Sequence, residues 1–268
     1  MRPNDFEFLA KFLKERSGLM LTQDKVYLLE SRLTPIARKY GHDTLDAFIA
    51  SFKMSRDEAL NVEVTEAMTT NESFFFRDST PFDLFKNQVL PVIEKNRPTK
   101  RLRIWCAAAS TGQEPYSLAM ILKEQWHKWK DWKIEIVGTD ICTKVLSKAK
   151  QGHYSQFEVQ RGLPIQMLIK YFEQDGDVWK LNDEIRNMVS YRPFNLLSSF
   201  TTLGNFDVIY CRNVLIYFDQ ETKGDVLDRM RRHVADDGTL FLGAAETVLG
   251  ITDKFQPVKG QRGMYTPS

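Results

Sequence analysis

The sequence predicts an α/β protein in which an all-helical N-terminal domain precedes a doubly wound sheet. Up to about residue 70, apolar residues recur at three- and four-residue spacing, which is the period of an amphipathic helix. From about residue 100, short β-rich runs alternate with helical segments, which is typical of a mostly parallel sheet. We expect a helical domain over residues 1–75, a linker over 76–98 and a Rossmann-like domain over 99–268.

Glycines and a capping motif divide the helical domain into separate helices. Gly18 and Gly41 are predicted helix stops, because glycine readily adopts the left-handed backbone that ends a helix. Ser55 and Glu58 have the spacing of a capping box, in which each side chain satisfies a backbone N–H of the first turn. We expect this box to start the last helix of the domain.

The second domain contains five apolar runs of strand length. A tail over residues 255–266, with one proline and two glycines between β-prone pieces, predicts a closing hairpin. An Asp-Gly-Asp turn at residues 175–177 predicts a small antiparallel β-subdomain over 171–190. The five predicted strands cover residues 102–107, 134–139, 189–194, 206–211 and 239–243.

Charge and composition argue against several classes of protein. The 37 basic and 35 acidic side chains nearly cancel, so no overall field gathers nucleic acid or an anionic membrane. The apolar runs are far shorter than the roughly 18 residues needed to span a bilayer, so we expect no membrane insertion. Three cysteines without a CxxC pair, and no signal-peptide core, predict a cytoplasmic protein. The four histidines lack metal-ligand spacing, so no metal is expected.

The most informative segment, residues 104–118, is a strand that runs into small residues and then an amphipathic helix. Doubly wound sheets bind cofactors at this edge, where small residues let the backbone approach a ligand. Only Gly112 is a glycine here, whereas a dinucleotide fingerprint has three and a P-loop needs Gly-Lys-Ser/Thr. The ligand therefore need not carry phosphate.

Two carboxylates beside this turn narrow the choice of ligand. Glu114 would bring negative charge towards it, which repels pyrophosphate but suits the cationic groups of S-adenosylmethionine. Asp140 follows the next strand, where a carboxylate can accept hydrogen bonds from both ribose hydroxyls. Each has an ordinary alternative, since acidic residues favour helix N-termini and Asp140 is a suitable N-cap. Together they favour an adenosine-containing cofactor without phosphate.

Two further clusters combine aromatic and polar residues. Residues 69–78 hold three successive phenylalanines with hydroxyls, an amide and an arginine. Residues 206–219 place Arg212, Asn213 and Tyr217 at and beyond a strand end, where such sheets carry chemistry. A hydrophobic plug, a salt-bridge arginine and a surface tyrosine remain as structural alternatives.

These clusters, in this order, resemble the CheR family of chemotaxis receptor methyltransferases, and the likeness runs along essentially the whole chain. Ser73 replaces the usual threonine and keeps the hydroxyl, and Gln113 replaces a second glutamate often found in the turn. The matching stretches are Thr-Asn-Glu-Ser-Phe-Phe-Phe-Arg at 70–77, Ala-Ala-Ser-Thr-Gly-Gln-Glu-Pro-Tyr at 108–116 and Cys-Arg-Asn-Val-Leu-Ile-Tyr-Phe-Asp at 211–219.

The resemblance implies a helical substrate-recognition domain and an S-adenosylmethionine-dependent methyltransferase domain. The implied reaction methylates glutamate side chains of chemoreceptors for sensory adaptation, giving glutamyl methyl esters and S-adenosylhomocysteine. Arg77 and Tyr217 are implied to handle the substrate and are the catalytic candidates. The residues implied at the cofactor are Asn71, Ser73, Arg77, Glu114, Asp140, Asn195, Leu196, Arg212 and Asn213.

The resemblance also makes the cytoplasmic helical region of a chemoreceptor the expected partner. Residues 11–39 carry seven basic and three acidic side chains, and Lys25, Arg32 and Arg38 are the expected contacts. A solvated helix face is the alternative explanation of this basic stretch. Residues 171–195 are fewer than in members that bind a receptor C-terminal pentapeptide, so we expect no such tether. We expect a monomer.

Two other functions stay in competition. A nucleic-acid methyltransferase is disfavoured because the chain is nearly neutral and Asn195-Leu-Leu lacks the prolines and aromatic residue of an amino-methylating motif. Cys211 ends a hydrophobic strand, where a buried thiol is more usual than a nucleophile. A non-catalytic module that senses S-adenosylmethionine is disfavoured by the intact catalytic and cofactor candidates.

Overall fold

The computed structural model describes all residues from 1 to 268, and the chain folds into two compact units. The helical unit consists of residues 1–70 together with residues 217–222. The sheet unit consists of residues 71–216 and 223–268. No helix combines the length and the hydrophobicity that crossing a membrane requires.

The helical unit confirms the predicted all-helical N-terminal region. As predicted, α1 ends at Gly18, whose φ of 76° is left-handed. The predicted capping box at Ser55 is wrong, because Asp57 is the N-cap of the last helix and its carboxylate accepts the Ala59 and Leu60 N–H groups. The Ser55 hydroxyl instead accepts the Asp57 N–H. The helices are α1 (Pro3–Ser17), α2 (Val26–Lys39), α3 (Leu45–Met54) and α4 (Glu58–Met68), with a 3-10 turn at Gln23–Lys25.

One apolar core holds the helical unit together. Side chains at three- and four-residue spacing on the four helices are fully buried against one another, and these include Leu9, Leu13, Leu29, Leu33, Ile49 and Val64. The segment 217–222 joins the same unit through its own contacts. The Met20 N–H donates to the Tyr217 carbonyl (2.8 Å), and Lys14 forms an ion pair with Asp219 (2.6 Å).

The sheet unit begins with helices where the sequence predicted a linker. Most of residues 76–98 form α5 (Thr80–Leu84), a π-helical turn (Phe85–Val89) and α6 (Leu90–Asn96). Phe82, Phe85 and Ile93 are buried in the core of this unit, so the segment packs as part of the domain.

The rest of the sheet unit alternates strands with helices. The elements are, in chain order, β1 (Arg101–Ala107), α7 (Gln113–Glu124), α8 (Trp126–Trp129), β2 (Lys133–Asp140), α9 (Thr143–Gln151), β3 (His153–Ser155), α10 (Gln156–Gln160), α11 (Ile165–Tyr171), β4 (Phe172–Asp175), β5 (Val178–Leu181), α12 (Asp183–Arg186), β6 (Val189–Pro193), β7 (Phe206–Cys211), α13 (Gln220–Arg231), β8 (Val234–Leu242), β9 (Phe255–Pro257) and β10 (Met264–Pro267), with 3-10 turns at Thr201–Leu203 and Leu215–Tyr217.

Seven strands form the main sheet in the order β6-β2-β1-β7-β8-β10-β9. The first five are parallel, and β9 and β10 form the predicted antiparallel hairpin at one edge. Ala107 of β1 pairs with Thr139 of β2 and with Cys211 of β7, so the carboxyl ends of these three strands lie side by side. This register brings together the three loops that the sequence marked as a site.

A second, antiparallel sheet has the order β3-β5-β4. The predicted excursion over residues 171–190 supplies the hairpin of β4 and β5. The third strand, β3, comes from earlier in the chain, and Val189 and Ser190 belong to the main sheet. The three cysteines are buried and form no disulfide.

Candidate functional site

The turn between β1 and α7 is shaped by close packing beneath it. Gly112 precedes α7 with a φ of 93°, and a Cβ at this position would lie 2.6 Å from the Tyr191 hydroxyl. Gln113 is buried, and its amide oxygen accepts a hydrogen bond from the Thr111 hydroxyl (2.8 Å). The glycine and the small residues that predicted a ligand loop are therefore also required by the fold.

Asp140 links two of the loops at the carboxyl edge of the sheet. Its side chain is buried, and its two oxygens accept the Ser110 and Cys142 N–H groups, each at 2.9 Å. The Ser110 hydroxyl donates to the Asn71 carbonyl (2.7 Å), which brings in the 71–79 loop. Asp140 thus stands at the end of β2, as predicted for a ribose ligand, and it also organises the loop after β1.

Arg212 lies at the centre of a buried charge cluster. Its side chain is 1% exposed and contacts the carboxylates of Asp78 (2.7 Å) and Glu114 (2.9 Å). It also donates to the Arg77 carbonyl (2.7 Å) and lies over the Phe82 ring. The cluster joins the loops after β1 and β7 to the 71–79 loop, and it brings two of the cofactor candidates, Glu114 and Arg212, into contact.

The environment shifts both partners of this ion pair. Burial raises the pKa of Glu114, and the adjacent Arg212 guanidinium offsets only part of that effect. Burial would lower the pKa of Arg212, but the carboxylates of Glu114 and Asp78 outweigh it and raise that pKa.

Two features of the cluster suit an amino acid ligand. One guanidinium between two carboxylates leaves a net negative charge, which favours a cation nearby. The buried Nε of Arg212 has no hydrogen-bond acceptor, although buried donors are normally hydrogen-bonded. The ammonium and carboxylate of the methionine moiety of S-adenosylmethionine would satisfy these two needs respectively.

Backbone strain is concentrated in the same loops. Of the seven non-glycine residues with positive φ, Lys100 alone lies elsewhere. Such conformations are maintained only where the surrounding structure enforces them, and they cluster at functional sites. The other six are Phe76, Asp78, Ser79, Ala108, Ser110 and Asn213.

Glu246 is a residue of this region that the sequence did not reveal. Its carboxylate accepts the N–H groups of Asn213 (2.8 Å), Val214 (2.9 Å) and Gly243 (2.6 Å), with a longer bond from Ile216 (3.3 Å). It thereby holds the loop that follows β7. A glutamate about thirty residues away in sequence gave no signal of this role, because the contact exists only in the folded chain.

The three successive phenylalanines have different roles. Phe75 is fully buried and packs against the rings of Tyr154 and Phe172, so it belongs to the core. Phe74 is partly exposed, and the guanidinium groups of Arg77 and Arg161 lie 5.4 and 4.3 Å from its ring centre. Phe75 therefore contributes to the core, whereas Phe74 lies beside two guanidinium groups.

The remaining cofactor candidates lie on loops of the sheet unit. Asn195 accepts the Leu197 N–H (3.0 Å), and Leu196 is buried. Phe194 beside them donates its N–H to the Asp140 carbonyl (2.9 Å), which fixes this loop at the end of β2. Ser73 is partly buried in the 71–79 loop. Tyr217 differs from these residues, since it is grouped with the helical unit.

Most basic side chains of residues 11–39 have acidic partners in the helical unit. The ion pairs are Lys11–Glu15, Lys14–Asp219, Arg16–Glu58 and Lys39–Glu63. Arg32 donates to the carbonyls of residues 68 and 69 and to the Thr70 hydroxyl, so it holds the end of α4. Lys25 and Arg38 form no ion pair.

Comparison with protein-family models gives two matches that cover most of the chain. Residues 4–69 match the all-alpha domain of CheR methyltransferases, and residues 71–264 match the SAM binding domain of CheR methyltransferases. The boundary between the matches coincides with the boundary between the helical and sheet units near residue 70.

Several curated proteins are similar over nearly their whole length. Chemotaxis protein methyltransferase Cher2 of Pseudomonas putida is 39% identical over 264 residues, covering 97% of this chain and 96% of that protein. Chemotaxis protein methyltransferase 1 of Pseudomonas aeruginosa is 40% identical over 265 residues, with the same coverage. Chemotaxis protein methyltransferase 1 of Vibrio cholerae is 37% identical, covering 97% of this chain and 95% of that protein.

Proposed function

Because the chain belongs to the CheR family of S-adenosylmethionine-dependent methyltransferases, we propose that it methylates glutamate side chains of chemoreceptors. The observation that supports the site assignment is the buried Arg212 guanidinium held between the carboxylates of Glu114 and Asp78. The net negative charge of this cluster and the unsatisfied Arg212 Nε match the two charged groups of the methionine moiety.

The sheet unit's own residues would hold the cofactor along the carboxyl edge of the sheet. Glu114 and Arg212 would bind the amino acid end, and Asp140 would accept hydrogen bonds from the ribose hydroxyls. When bound, S-adenosylmethionine would supply a methyl group: a carboxylate oxygen attacks the methyl carbon, the carbon–sulfur bond breaks, and the products are a methyl ester and S-adenosylhomocysteine. Asn195 and Leu196 would lie beside the adenine, while Asn71, Ser73 and Asn213 would line the remaining wall.

The acceptor needs orientation more than activation. A glutamate side chain has a pKa of about 4.3 in model peptides and is already ionised at neutral pH, so no general base is required. Positioning and removal of water are what remain for the protein to supply. Arg77 stacks beside Phe74 without an acidic partner in an ion pair, and we assign it to orient the carboxylate. We also assign Tyr217 to the handling of the substrate, as the family resemblance implies.

The partner is the acidic helical region of a receptor. Lys25 and Arg38 are basic side chains of the helical unit without ion pairs, and they would attract such a helix. Arg32 contributes to the same surface from a more fixed position. We place the reaction in the cytoplasm, since the three unpaired cysteines suit a reducing compartment.

Calorimetric titration with S-adenosylmethionine and S-adenosylhomocysteine tests the cofactor site. Asp140→Asn should weaken both ligands about tenfold or more, because one acceptor oxygen becomes a donor. Asp177→Asn, in the exposed β4–β5 turn, is the matched control and should bind like the wild type.

Transfer of a labelled methyl group to a receptor fragment tests the acceptor. We expect label in an ester that alkali releases as methanol, and none when the acceptor glutamates are replaced by glutamine. Label in nucleic acid, or alkali-stable label in protein, would contradict glutamate methylation while leaving the cofactor assignment intact.

A further inference from the structure

The loop that follows β7 is built around the Glu246 carboxylate. One oxygen, Oε1, accepts the N–H groups of Val214 and Ile216, and the other, Oε2, accepts those of Asn213 and Gly243. Backbone N–H groups that converge in this way form an anion-binding concavity. Here the anion comes from the chain itself, and its side chain is partly buried.

The surroundings of Glu246 leave little freedom for a different arrangement. Asn213 has a φ of 59°, a left-handed conformation that a non-glycine residue adopts only when held there. A Cβ at Gly243 would lie 2.7 Å from Glu246 Oε2 and 2.8 Å from the Asn213 side-chain nitrogen. Position 243 must therefore remain a glycine for the carboxylate to reach this loop.

The same loop carries two of the cofactor candidates. Arg212 directly precedes the N–H groups that Glu246 binds, and Asn213 supplies one of them. The guanidinium of Arg212 is held at its far end by Asp78 and Glu114. The backbone at its near end is held by Glu246, so the two sets of bonds together define where Arg212 Nε points.

We propose that Glu246 is a positioning residue for the cofactor site, fixing the loop of residues 213–216 and with it Arg212 and Asn213. The proposal rests on the assignment of the S-adenosylmethionine site to the sheet unit. Glutamine in its place would have one acceptor oxygen and would set an NH₂ donor against two backbone donors. The loop would lose its ordered form, and cofactor affinity would fall without any change in a group that touches the acceptor.

The test compares Glu246→Gln with Glu173→Gln, which alters an exposed glutamate on β4 whose side chain forms no hydrogen bond. We expect at least a tenfold rise in the Kd for S-adenosylhomocysteine and in the KM for S-adenosylmethionine, with the KM for a receptor fragment unchanged. Amide hydrogen exchange of residues 213–216 should accelerate in Glu246→Gln alone. A general loss of structure would not separate the two KM values in this way.

Gly243→Ala provides a second test that leaves the charge in place. Its methyl group would displace Glu246 and Asn213, so the same weakening and the same faster exchange are expected. A folded Glu246→Gln that binds S-adenosylhomocysteine with the wild-type Kd would overturn the proposal. If the wild type itself fails to bind, the cofactor assignment is wrong, and unchanged exchange in residues 213–216 would then refute the positioning role as well.

Discussion

The buried charges of the sheet unit and the exposed charges of the helical unit use the same residue types with different consequences. The Arg212 side chain is 1% exposed and Glu114 13%, whereas Lys11 and Glu15 are 77% and 66% exposed. Removing one partner from a buried pair costs about 3–5 kcal/mol, while an exposed pair contributes about 0–1 kcal/mol. We therefore expect the buried charges of the sheet unit to shape a binding site, and the exposed charges of the helical unit to interact with a partner.

Arg212→Met should give the largest effect, since it leaves the largely buried Glu114 carboxylate without its cation. We expect a loss of about 3–5 kcal/mol in unfolding free energy at neutral pH and no measurable binding of S-adenosylhomocysteine. Chemical denaturation and calorimetry measure the two quantities. Arg231→Met removes an exposed ion pair with Asp236 in the same unit and should change stability by less than about 1 kcal/mol. Equal effects of the two variants would break the contrast between buried and exposed charges.

Glu114→Gln tests whether the buried carboxylate acts on the cofactor as a charge. Because burial raises its pKa above the usual 4.5, protonation on acidification begins at a higher pH than for an exposed glutamate. Affinity for S-adenosylhomocysteine should therefore fall with decreasing pH in the wild type. The variant should bind about tenfold more weakly at pH 7 and lack this acid limb, as measured by calorimetry across pH.

The contribution of Glu114 to stability should depend on pH in the opposite direction to its contribution to cofactor binding. With a raised folded-state pKa, the stability that Glu114 contributes is present below its unfolded pKa and is lost as pH rises through the folded value. In wild type but not in Glu114→Gln, this group should make unfolding harder at acid pH. If lowering the pH reduced both the affinity for S-adenosylhomocysteine and the stability that Glu114 contributes, the assignment would be contradicted.

Charge reversal at Lys25 and Arg38 should have an intermediate effect confined to the partner. We expect the KM for an acidic receptor fragment to rise about 3–10-fold and its salt dependence to shrink, because exposed charges act on association. Lys11→Glu, which alters a basic residue already paired on α1, is the control. Unchanged receptor kinetics in the double variant would exclude this face as the docking surface, and altered S-adenosylhomocysteine binding would show that the variant perturbs more than docking.

Asp219→Asn should give the smallest effect. Hydrogen bonds from Lys14, and then from Thr222, lower the pKa of Asp219 to about 2. A lowered pKa means that the stabilisation is present above the unfolded value of 3.8 and disappears as pH falls towards 2. Thermal unfolding should therefore differ by roughly 2 °C or less at pH 7 and converge at pH 2. A difference that grows on acidification would contradict this account.

The regular elements of the sheet unit were accessible from sequence because their signal is local. β1, β2 and β7 are apolar runs of the right length, and the loops after them contain Gly112, Asp140 and Arg212. The helices over residues 80–96 were assigned to a linker, although Phe82 and Phe85 follow a helical spacing. Pro81 and Pro91 at helix starts were compatible with helices, so this error was avoidable.

Other features depend on tertiary structure and had no signal in the sequence. The three-residue strand β3 exists because β5 pairs with it. Asp57, rather than Ser55, caps α4, because α4 begins at Glu58: the Asp57 carboxylate accepts the Ala59 and Leu60 N–H groups, and the Ser55 hydroxyl accepts only the Asp57 N–H. Asp140 and Glu246 bind the backbone of loops that are distant in sequence, and only the sheet register brings those loops within reach.

The discontinuous make-up of the helical unit has a consequence for synthesis on the ribosome. Its apolar core comes entirely from residues within the first 70, so a helical intermediate can form as soon as these have emerged. The partners of Met20 and Lys14, Tyr217 and Asp219, emerge about 150 residues later, roughly 8–30 s at bacterial elongation rates. During that interval the nascent helical unit lacks the contacts of residues 217–222, so we expect it to be less stable than in the complete chain.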